Sequence, residues 1–166
     1  MSEHLVVAPA DPADPSLRAL VEAHLQDMVA TTPDPRSRHA LDHEAMFAPG
    51  TSVWVARLDG HVVGCGALQP VAADPGAAEV KAMRTTADAR GRGVGTAVLR
   101  HLVAEGRRRG LGRLVLETGA QAFFAPARRL YAAHGFVERG PFGSYAEDPS
   151  SVFMCLDLDL GPGERP

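Results

Sequence analysis

The sequence is poor in the residues that build disulfide scaffolds and membrane spans. Its 166 residues include only two cysteines, Cys65 and Cys155, which are too few for a disulfide framework and too far apart for a zinc knuckle. No apolar run approaches the ~18 residues that a membrane-spanning helix needs. The first thirty residues are rich in proline and acidic residues and lack the basic and then apolar order of a signal peptide. These absences predict a cytoplasmic protein without a membrane partner.

Composition and charge narrow the class further. Hydrophobic residues at 45% and charged residues at 22% are ordinary for a globular protein, which excludes a wholly disordered chain. The length suits one domain, which we expect over residues 1–160, with a loose tail at 161–166. The net charge of −3 argues against a dedicated nucleic-acid binder. Arginines nevertheless cluster between Arg84 and Arg113, and this cluster indicates either a solvated helix face or an anion site.

Periodicity and turn residues predict an ordered series of strands and helices. Apolar alternation marks strands, apolar residues at helical spacing mark helices, and Asp59-Gly60 marks a hairpin. The expected strands cover residues 4–8, 52–58, 61–68, 78–85, 113–117, 136–137 and 152–158. The expected helices cover residues 15–30, 39–47, 93–109 and 126–134. This order predicts an α/β fold with a mixed sheet and helices on both faces.

The most informative segment is the glycine-rich turn Arg90-Gly91-Arg92-Gly93-Val94-Gly95, which lies between a predicted strand and a long helix. Such a turn presents unpaired backbone N–H groups and the positive end of the helix dipole, and phosphate is their natural ligand. Arg90 and Arg92 add charged donors. The alternative is a turn that needs glycine only for its backbone angles.

Two nucleotide-binding motifs fit this turn poorly. A Walker A loop needs a Gly-Lys-Ser/Thr sequence, and the only lysine, Lys81, precedes the turn. A dinucleotide fingerprint would use Gly91 and Gly93 with Glu117 as the ribose-binding acid. Its third glycine is replaced by Thr96, however, and the hairpin that precedes the turn does not suit the start of a doubly wound sheet.

Three segments together resemble the GNAT superfamily of N-acetyltransferases. Arg90-x-x-Gly93-x-Gly95 is similar to the family's acetyl-CoA pyrophosphate loop. Residues 79–85 look like its cofactor-binding strand, and Leu130-Tyr131-Ala132-Ala133-His134-Gly135-Phe136 resembles its Leu-Tyr-x-x-x-Gly-Phe signature. The three segments lie in the family's order over residues 79–136. One position departs from the pattern, because Phe124 stands where the family often has an asparagine that bonds the pantetheine arm.

The resemblance implies a GNAT-like fold, with a central, mostly antiparallel twisted sheet, helices on both faces and a splayed cofactor-binding strand pair. It implies direct acetyl transfer from acetyl-CoA to an amine of a small molecule or a peptide, without a metal. A non-catalytic acyl-CoA-binding module is the alternative. The residues that the resemblance assigns to the cofactor are Met83, Arg84, Thr85, Arg90, Gly91, Arg92, Gly93, Val94, Gly95 and Thr96.

Two residues are candidates for the chemistry. Tyr131 matches the family's general acid and would protonate the departing thiolate; from periodicity alone it would be a core residue. Glu79 is the candidate base or water-positioning group, or else an exposed carboxylate at a strand end. Glu117 would either reach the cleft or pair with an arginine. His134 is best explained by the helix dipole.

No sequence motif marks the site that would bind the acceptor amine. We expect residues 31–49 and 140–149 to shape it, because they are the parts least tied to CoA. His39 and His43 lie four residues apart on the predicted helix 39–47, a spacing that suits metal, but no third ligand is evident. A homodimer through the last strands is a family-level expectation.

Overall fold

A computed structural model describes residues 4–158, so the tail expected at 161–166 lies outside the described residues. The strands are β1 (Leu5–Pro9), β2 (Ser52–Leu58), β3 (His61–Val71), β4 (Asp74–Thr85), β5 (Arg113–Gly119), β6 (Val137–Arg139) and β7 (Ser151–Asp157). The α-helices are α1 (Pro15–Thr31), α2 (His43–Met46), α3 (Val94–Arg108) and α4 (Ala125–Ala133). Short 3₁₀ turns cover Pro35–Ser37, Ala87–Ala89 and Ala122–Phe124.

The seven strands form one mixed sheet in the order β1-β2-β3-β4-β5-β7-β6. Every neighbouring pair is antiparallel except β4 and β5, which are parallel. The parallel pair meets only from Ala77 to Glu79 on β4 and from Arg113 to Val115 on β5. Both strands continue beyond these residues without pairing to each other, so the sheet splits there. This confirms the expected mixed sheet with a splayed strand pair.

Helices cover both faces of the sheet. Leu17, Leu20 and Val21 of α1, together with Met46 of α2, pack with inward-facing residues of β2 and β3 on one face. On the other face, α3 and α4 join the larger core, whose fully buried members include Val98, Leu99, Leu102, Leu114 and Leu116. The apolar stripe predicted for α3 is therefore the stripe that the sheet buries. None of the helices in residues 4–158 has the length and hydropathy to cross a membrane.

The main difference from the expected elements lies before β2. The helix predicted over residues 39–47 is limited to the four residues of α2, where Asp42 caps the helix by accepting a hydrogen bond from the Ala45 N–H at 2.8 Å. His39 lies outside this helix, so the expected His39–His43 helical pair is wrong. An Asp cap competes with helix continuation on its N-terminal side, because the capping residue has extended backbone angles.

A β-bulge interrupts β4 where the sheet splits. The register passes from Ala67–Lys81 to Cys65–Arg84, so Ala82 and Met83 face a single residue of β3. Ala82 has φ of 57°, a left-handed conformation that is uncommon for a residue with a side chain. The Cys65 thiol donates to the Ala82 carbonyl at 3.1 Å. The bulge therefore interrupts the pairing of β4 with β3 just beyond the split from β5, and the pairing resumes at Arg84 and Thr85.

Candidate active site

The split between β4 and β5 opens into a cavity of about 450 Å³, which we call the outer cleft. Its walls are the second half of β4, the glycine-rich turn, the start of α3 and one side of α4. The lining residues that the resemblance assigned to the cofactor are Met83, Arg84, Thr85, Arg90, Gly91, Gly93, Gly95 and Thr96. The structure thus brings eight of the ten expected cofactor residues to one cavity.

The glycine-rich turn ends at the N-terminus of α3. Gly93 is the N-cap residue and has φ of 81°, and Gly91 has φ of 78°. Because glycine has no side chain, the backbone N–H groups of the first helical turn are left to a ligand or to water. The helix is fifteen residues long, and its dipole adds positive potential at this end. The arrangement suits an anion such as a phosphate.

Two expected cofactor residues do not line the outer cleft, and a third is engaged elsewhere. The Val94 side chain is buried in the larger core, so only its backbone N–H can face a ligand. Arg92 is not among the lining residues. Arg84 lines the cleft, but its guanidinium forms an ion pair with Asp27 of α1. Arg90 is therefore the arginine of the glycine-rich turn that lines the outer cleft.

A smaller cavity of about 100 Å³ lies deeper in the split, and we call it the inner pocket. Both catalytic candidates, Tyr131 and Glu79, line it, together with Glu117 on β5. Five residues line the outer cleft and the inner pocket alike: His24, Met83, Phe124, Ala127 and Tyr131. Tyr131 therefore lies at the junction of the two cavities.

Glu79 is buried and bound on two sides, not exposed at a strand end. The Tyr145 hydroxyl donates to Glu79 Oε2 at 2.6 Å, and Lys81 Nζ lies 3.4 Å from the same oxygen. Lys81 Nζ also donates to the Tyr145 hydroxyl at 3.0 Å and to the His39 carbonyl at 2.9 Å. The three side chains form a compact network with a balanced charge pair at its centre.

This network separates the inner pocket from a third cavity of about 340 Å³, which we call the side pocket. His39, Glu79 and Lys81 line both cavities, and Tyr145 lines the side pocket. The rings of His39 and Tyr145 meet edge to face at 4.9 Å. His39 and Tyr145 come from the two segments, 31–49 and 140–149, that were expected to shape the acceptor side.

Burial changes the titration of two groups in the inner pocket. It raises the pKa of the Glu117 carboxyl to about 7, since the ionised form loses hydration. It also raises the pKa of the Tyr131 hydroxyl above its ordinary value, with a further contribution from the charge of Glu117. Tyr131 therefore keeps its proton at physiological pH, while Glu117 exchanges its proton near neutrality.

His24 of α1 is a junction residue that the sequence did not single out. Burial, followed by the positive charge of Arg84, lowers the pKa of His24 to about 4. Its Nδ1 atom is buried and has no hydrogen-bond partner within residues 4–158. A neutral imidazole with an unsatisfied buried nitrogen is suited to bind a polar ligand atom in the cleft.

Several arginines of the cluster between Arg84 and Arg113 form ion pairs within the fold. Arg108 and Arg109 both bind Glu105, and Arg113 binds Asp74 at 2.7 Å. Arg84 is likewise paired, with Asp27 of α1. The positive excess in the sequence is therefore not one continuous basic surface.

Sequence reasoning missed Lys81 and Tyr145 as site residues. Their contacts join positions 42 to 66 residues apart, from Lys81–His39 to Tyr145–Glu79, and no local pattern marks such pairs. The one usable signal was that Lys81 is the sole lysine, placed two residues after Glu79 on a predicted strand. That spacing puts both side chains on the same face of the sheet. Within residues 4–158, no group of three or more His, Cys, Asp or Glu residues is placed to hold a metal ion.

The fold is shared with solved acetyltransferase structures. YncA from Salmonella typhimurium, whose structure was solved with its cofactor acetyl-CoA, superposes with a TM-score of 0.70 at 22% identity, over 97% of this chain and 98% of that chain. This likeness defines the class of fold.

Sequence relatives define the family. The acetyltransferase (GNAT) family model matches residues 17–136. The uncharacterised N-acetyltransferase YsnE of Bacillus subtilis is 44% identical over 84% of this chain and 91% of its own length. An IAA acetyltransferase of Azospirillum brasilense is 42% identical over 71% of this chain and 75% of its own length. The chain belongs to the GNAT acetyltransferase family, which confirms the resemblance carried by the glycine-rich turn and the Leu-Tyr-x-x-x-Gly-Phe segment.

Proposed function

We propose that this protein transfers an acetyl group directly from acetyl-CoA to an amine of a small molecule or a peptide. The observation that carries the proposal is the junction at Tyr131, where the outer cleft meets a pocket containing two carboxylates. A donor bound in the outer cleft and an acceptor bound in the inner pocket would meet at this residue. Direct transfer needs this shared contact point.

The outer cleft fits a long, phosphate-bearing donor. Backbone N–H groups at Gly93 and Gly95 would bind the pyrophosphate, and Arg90 would add charge. The second half of β4, which has no partner strand on the side of β5, would bind the pantetheine arm in the manner of a strand, through the backbone of Met83 and Thr85. Phe124 offers no polar side-chain atom here, so this arm would rely on the backbone and on apolar contact.

The chemistry needs a polarised carbonyl and a protonated leaving group. The bulge at Ala82 and Met83 frees backbone N–H groups of β4 from regular pairing, and the Met83 or Arg84 N–H would stabilise the oxyanion. Tyr131 would donate its hydroxyl proton to the thiolate of CoA as the thiolate leaves. Burial keeps Tyr131 protonated at neutral pH, and the thiolate that forms beside the hydroxyl would accept this proton.

The acceptor amine must lose a proton before or during attack. Glu117 would accept this proton, because a pKa of about 7 lets the carboxylate form and reprotonate near neutral pH. Glu79, already bound by Tyr145 and Lys81, would position the amine or a water molecule. The two carboxylates then hold different roles set by their different surroundings.

The proposal is tested by ligand binding and by an acceptor screen. Acetyl-CoA and CoA should raise the melting temperature in a concentration-dependent way, while NAD at the same concentration should not. Amines, amino acids, peptides and IAA would then be assayed for acetylation. No stabilisation by either CoA species would overturn the proposal.

The family match favours an enzyme over the alternative from the sequence, a non-catalytic acyl-CoA-binding module. The same screen separates it from an enzyme, since a binding module would be stabilised by acetyl-CoA yet would acetylate none of the acceptors. Buried titratable groups at the junction favour the enzyme, because a binding module has no need of Tyr131 beside Glu117.

A further inference from the structure

The junction between the outer cleft and the inner pocket has an asymmetric lining. Met83 and His24 stand on the side of β4 and α1, and Phe124 stands at the start of α4 with Ala127 one turn later. If acetyl-CoA binds as proposed above, with its thioester at Tyr131, the acyl chain lies against this lining. The size of the lining residues then limits the acyl chain. This inference rests on the proposed function.

Phe124 is the largest apolar group at the junction apart from Tyr131, and its position is unusual. Its side chain is buried, and the ring lies against Gly119, the last residue of β5. A Cβ atom at Gly119 would lie only 2.1 Å from Phe124 Cδ2, so any other residue at 119 would displace the ring. The absence of a side chain at Gly119 lets the ring fill part of the gap between the diverging strands.

Hydrogen bonds fix the backbone around Phe124. Arg128 Nη1 of α4 donates to the Gly119 carbonyl at 2.5 Å and to the Gln121 carbonyl at 3.0 Å. The Phe124 N–H donates to the same Gln121 carbonyl at 3.0 Å. The end of β5 and the start of α4 are thus tied together on both sides of the ring. Phe124 is therefore buried and held by its backbone, and its ring forms a defined side of the junction.

We propose that Phe124 sets the length of the acyl chain that the enzyme accepts, and that it restricts the enzyme to acetyl and similarly short groups. The ring occupies apolar volume between the split strands that a longer alkyl chain would need. The ring also lines the inner pocket, whose volume of about 100 Å³ the acyl chain would have to share with the acceptor. Each further methylene in a closed apolar site changes discrimination by roughly tenfold or more.

Titration calorimetry tests the proposal without knowledge of the acceptor. The affinities of CoA, acetyl-CoA, butyryl-CoA and hexanoyl-CoA are measured for the wild type, Phe124→Leu and Phe124→Ala. We expect the wild type to bind hexanoyl-CoA at least ~10-fold more weakly than acetyl-CoA. Either substitution should reduce this ratio at least ~10-fold. The ratio is taken within each variant, so a general change in CoA affinity cancels. Phe124→Leu serves as the main variant, because replacement by alanine leaves a buried cavity and can prevent folding.

Phe123→Leu is the matched control. Phe123 packs edge to face on Phe124 at 5.0 Å and lines the outer cleft, but it does not line the inner pocket. The same change one residue away should leave the hexanoyl-to-acetyl ratio as in the wild type. An unchanged ratio in a folded Phe124→Leu protein that still binds CoA would overturn the proposal. Failure of the wild type to bind CoA would instead overturn the proposed function.

Discussion

The chain has two tyrosines, and they border opposite sides of the candidate site. Tyr131 lies on α4 at the junction with the outer cleft, and Tyr145 lies in the segment between β6 and β7 beside the side pocket. Burial raises the pKa of both hydroxyls. Tyr145 binds Glu79 and Lys81, whereas Tyr131 lies near Glu117 at the point where the donor would react. The comparison separates a hydroxyl suited to chemistry from a hydroxyl suited to holding the site together.

Replacement of Tyr131 should produce the largest effect on turnover. Tyr131→Phe keeps the ring and its packing on Phe136 but removes the only proton that the side chain can donate. We expect turnover to fall by ~10²–10⁴-fold, the usual contribution of a positioned acid. Acetyl-CoA affinity and melting temperature should change little, because the lost group acts in the transition state. Steady-state kinetics and calorimetry measure both quantities.

If Tyr131→Phe loses stability but keeps its activity per folded molecule, the hydroxyl contributes to packing and not to the reaction, as the helical periodicity alone suggests. Retention of both properties would mean that another group protonates the thiolate. Either result would remove the contrast between the two tyrosines.

Gly93→Val tests the donor side independently of either hydroxyl. A side chain at this N-cap would block close approach of a pyrophosphate. We therefore expect acetyl-CoA affinity to fall by at least ~100-fold, equivalent to one or two backbone hydrogen bonds to a charged group. Arg90→Ala should weaken binding less, because the backbone donors remain. Calorimetry with acetyl-CoA gives both values.

The strain of a branched side chain at positive φ needs its own control. Gly60 in the β2–β3 turn has φ of 87°, and, as at Gly93, a Cβ there would meet no atom within 4 Å. Gly60→Val should therefore lower the melting temperature about as much as Gly93→Val while acetyl-CoA binding is retained. Similar loss of binding in both variants would show that strain, not the lost anion site, is responsible.

Tyr145→Phe should have a smaller effect, and on a different quantity. The change removes the hydroxyl that binds both Glu79 and Lys81. Glu79 should therefore be held less firmly in the inner pocket, while the outer cleft is unchanged. We expect the KM for the acceptor to rise by ~10-fold, consistent with loss of one hydrogen bond to a charged group, with little change in acetyl-CoA affinity. A fall in kcat as large as that of Tyr131→Phe would assign Tyr145 to the chemistry instead.

The two tyrosines also show what sequence could predict. The segment around Tyr131 carries local rules, with a proline near the helix start and Gly135 at φ of 92° after its end, and it matches a family signature. Tyr145 lies in a segment without regular structure, and its partners are on β4, 64 and 66 residues away. Helix and strand periodicity predicted the sheet and both flanking layers. The bulge at Ala82 had no signal, because glycine is absent there and tertiary packing imposes the left-handed angle.

The smallest effect is a change in the free energy of unfolding with pH, and it comes from Glu117, which lines the inner pocket with Tyr131. The pKa of its carboxyl rises from 4.5 to about 7 on folding, so between these values the folded protein holds a proton that the unfolded chain has lost. The free energy of unfolding should therefore fall as pH rises through this window, and Glu117→Gln should remove that contribution. We expect the variant to gain ~1 kcal/mol relative to the wild type between pH 4.5 and pH 8, less than the full shift implies because the carboxylate is only partly buried. Urea unfolding at both pH values measures the difference, and the exposed Glu138 on β6 provides the control Glu138→Gln.

If Glu117 is also the base, the variant Glu117→Gln should lose the rise of kcat/KM near pH 7. A stability gain without that loss would leave Glu117 buried at the site but outside the reaction.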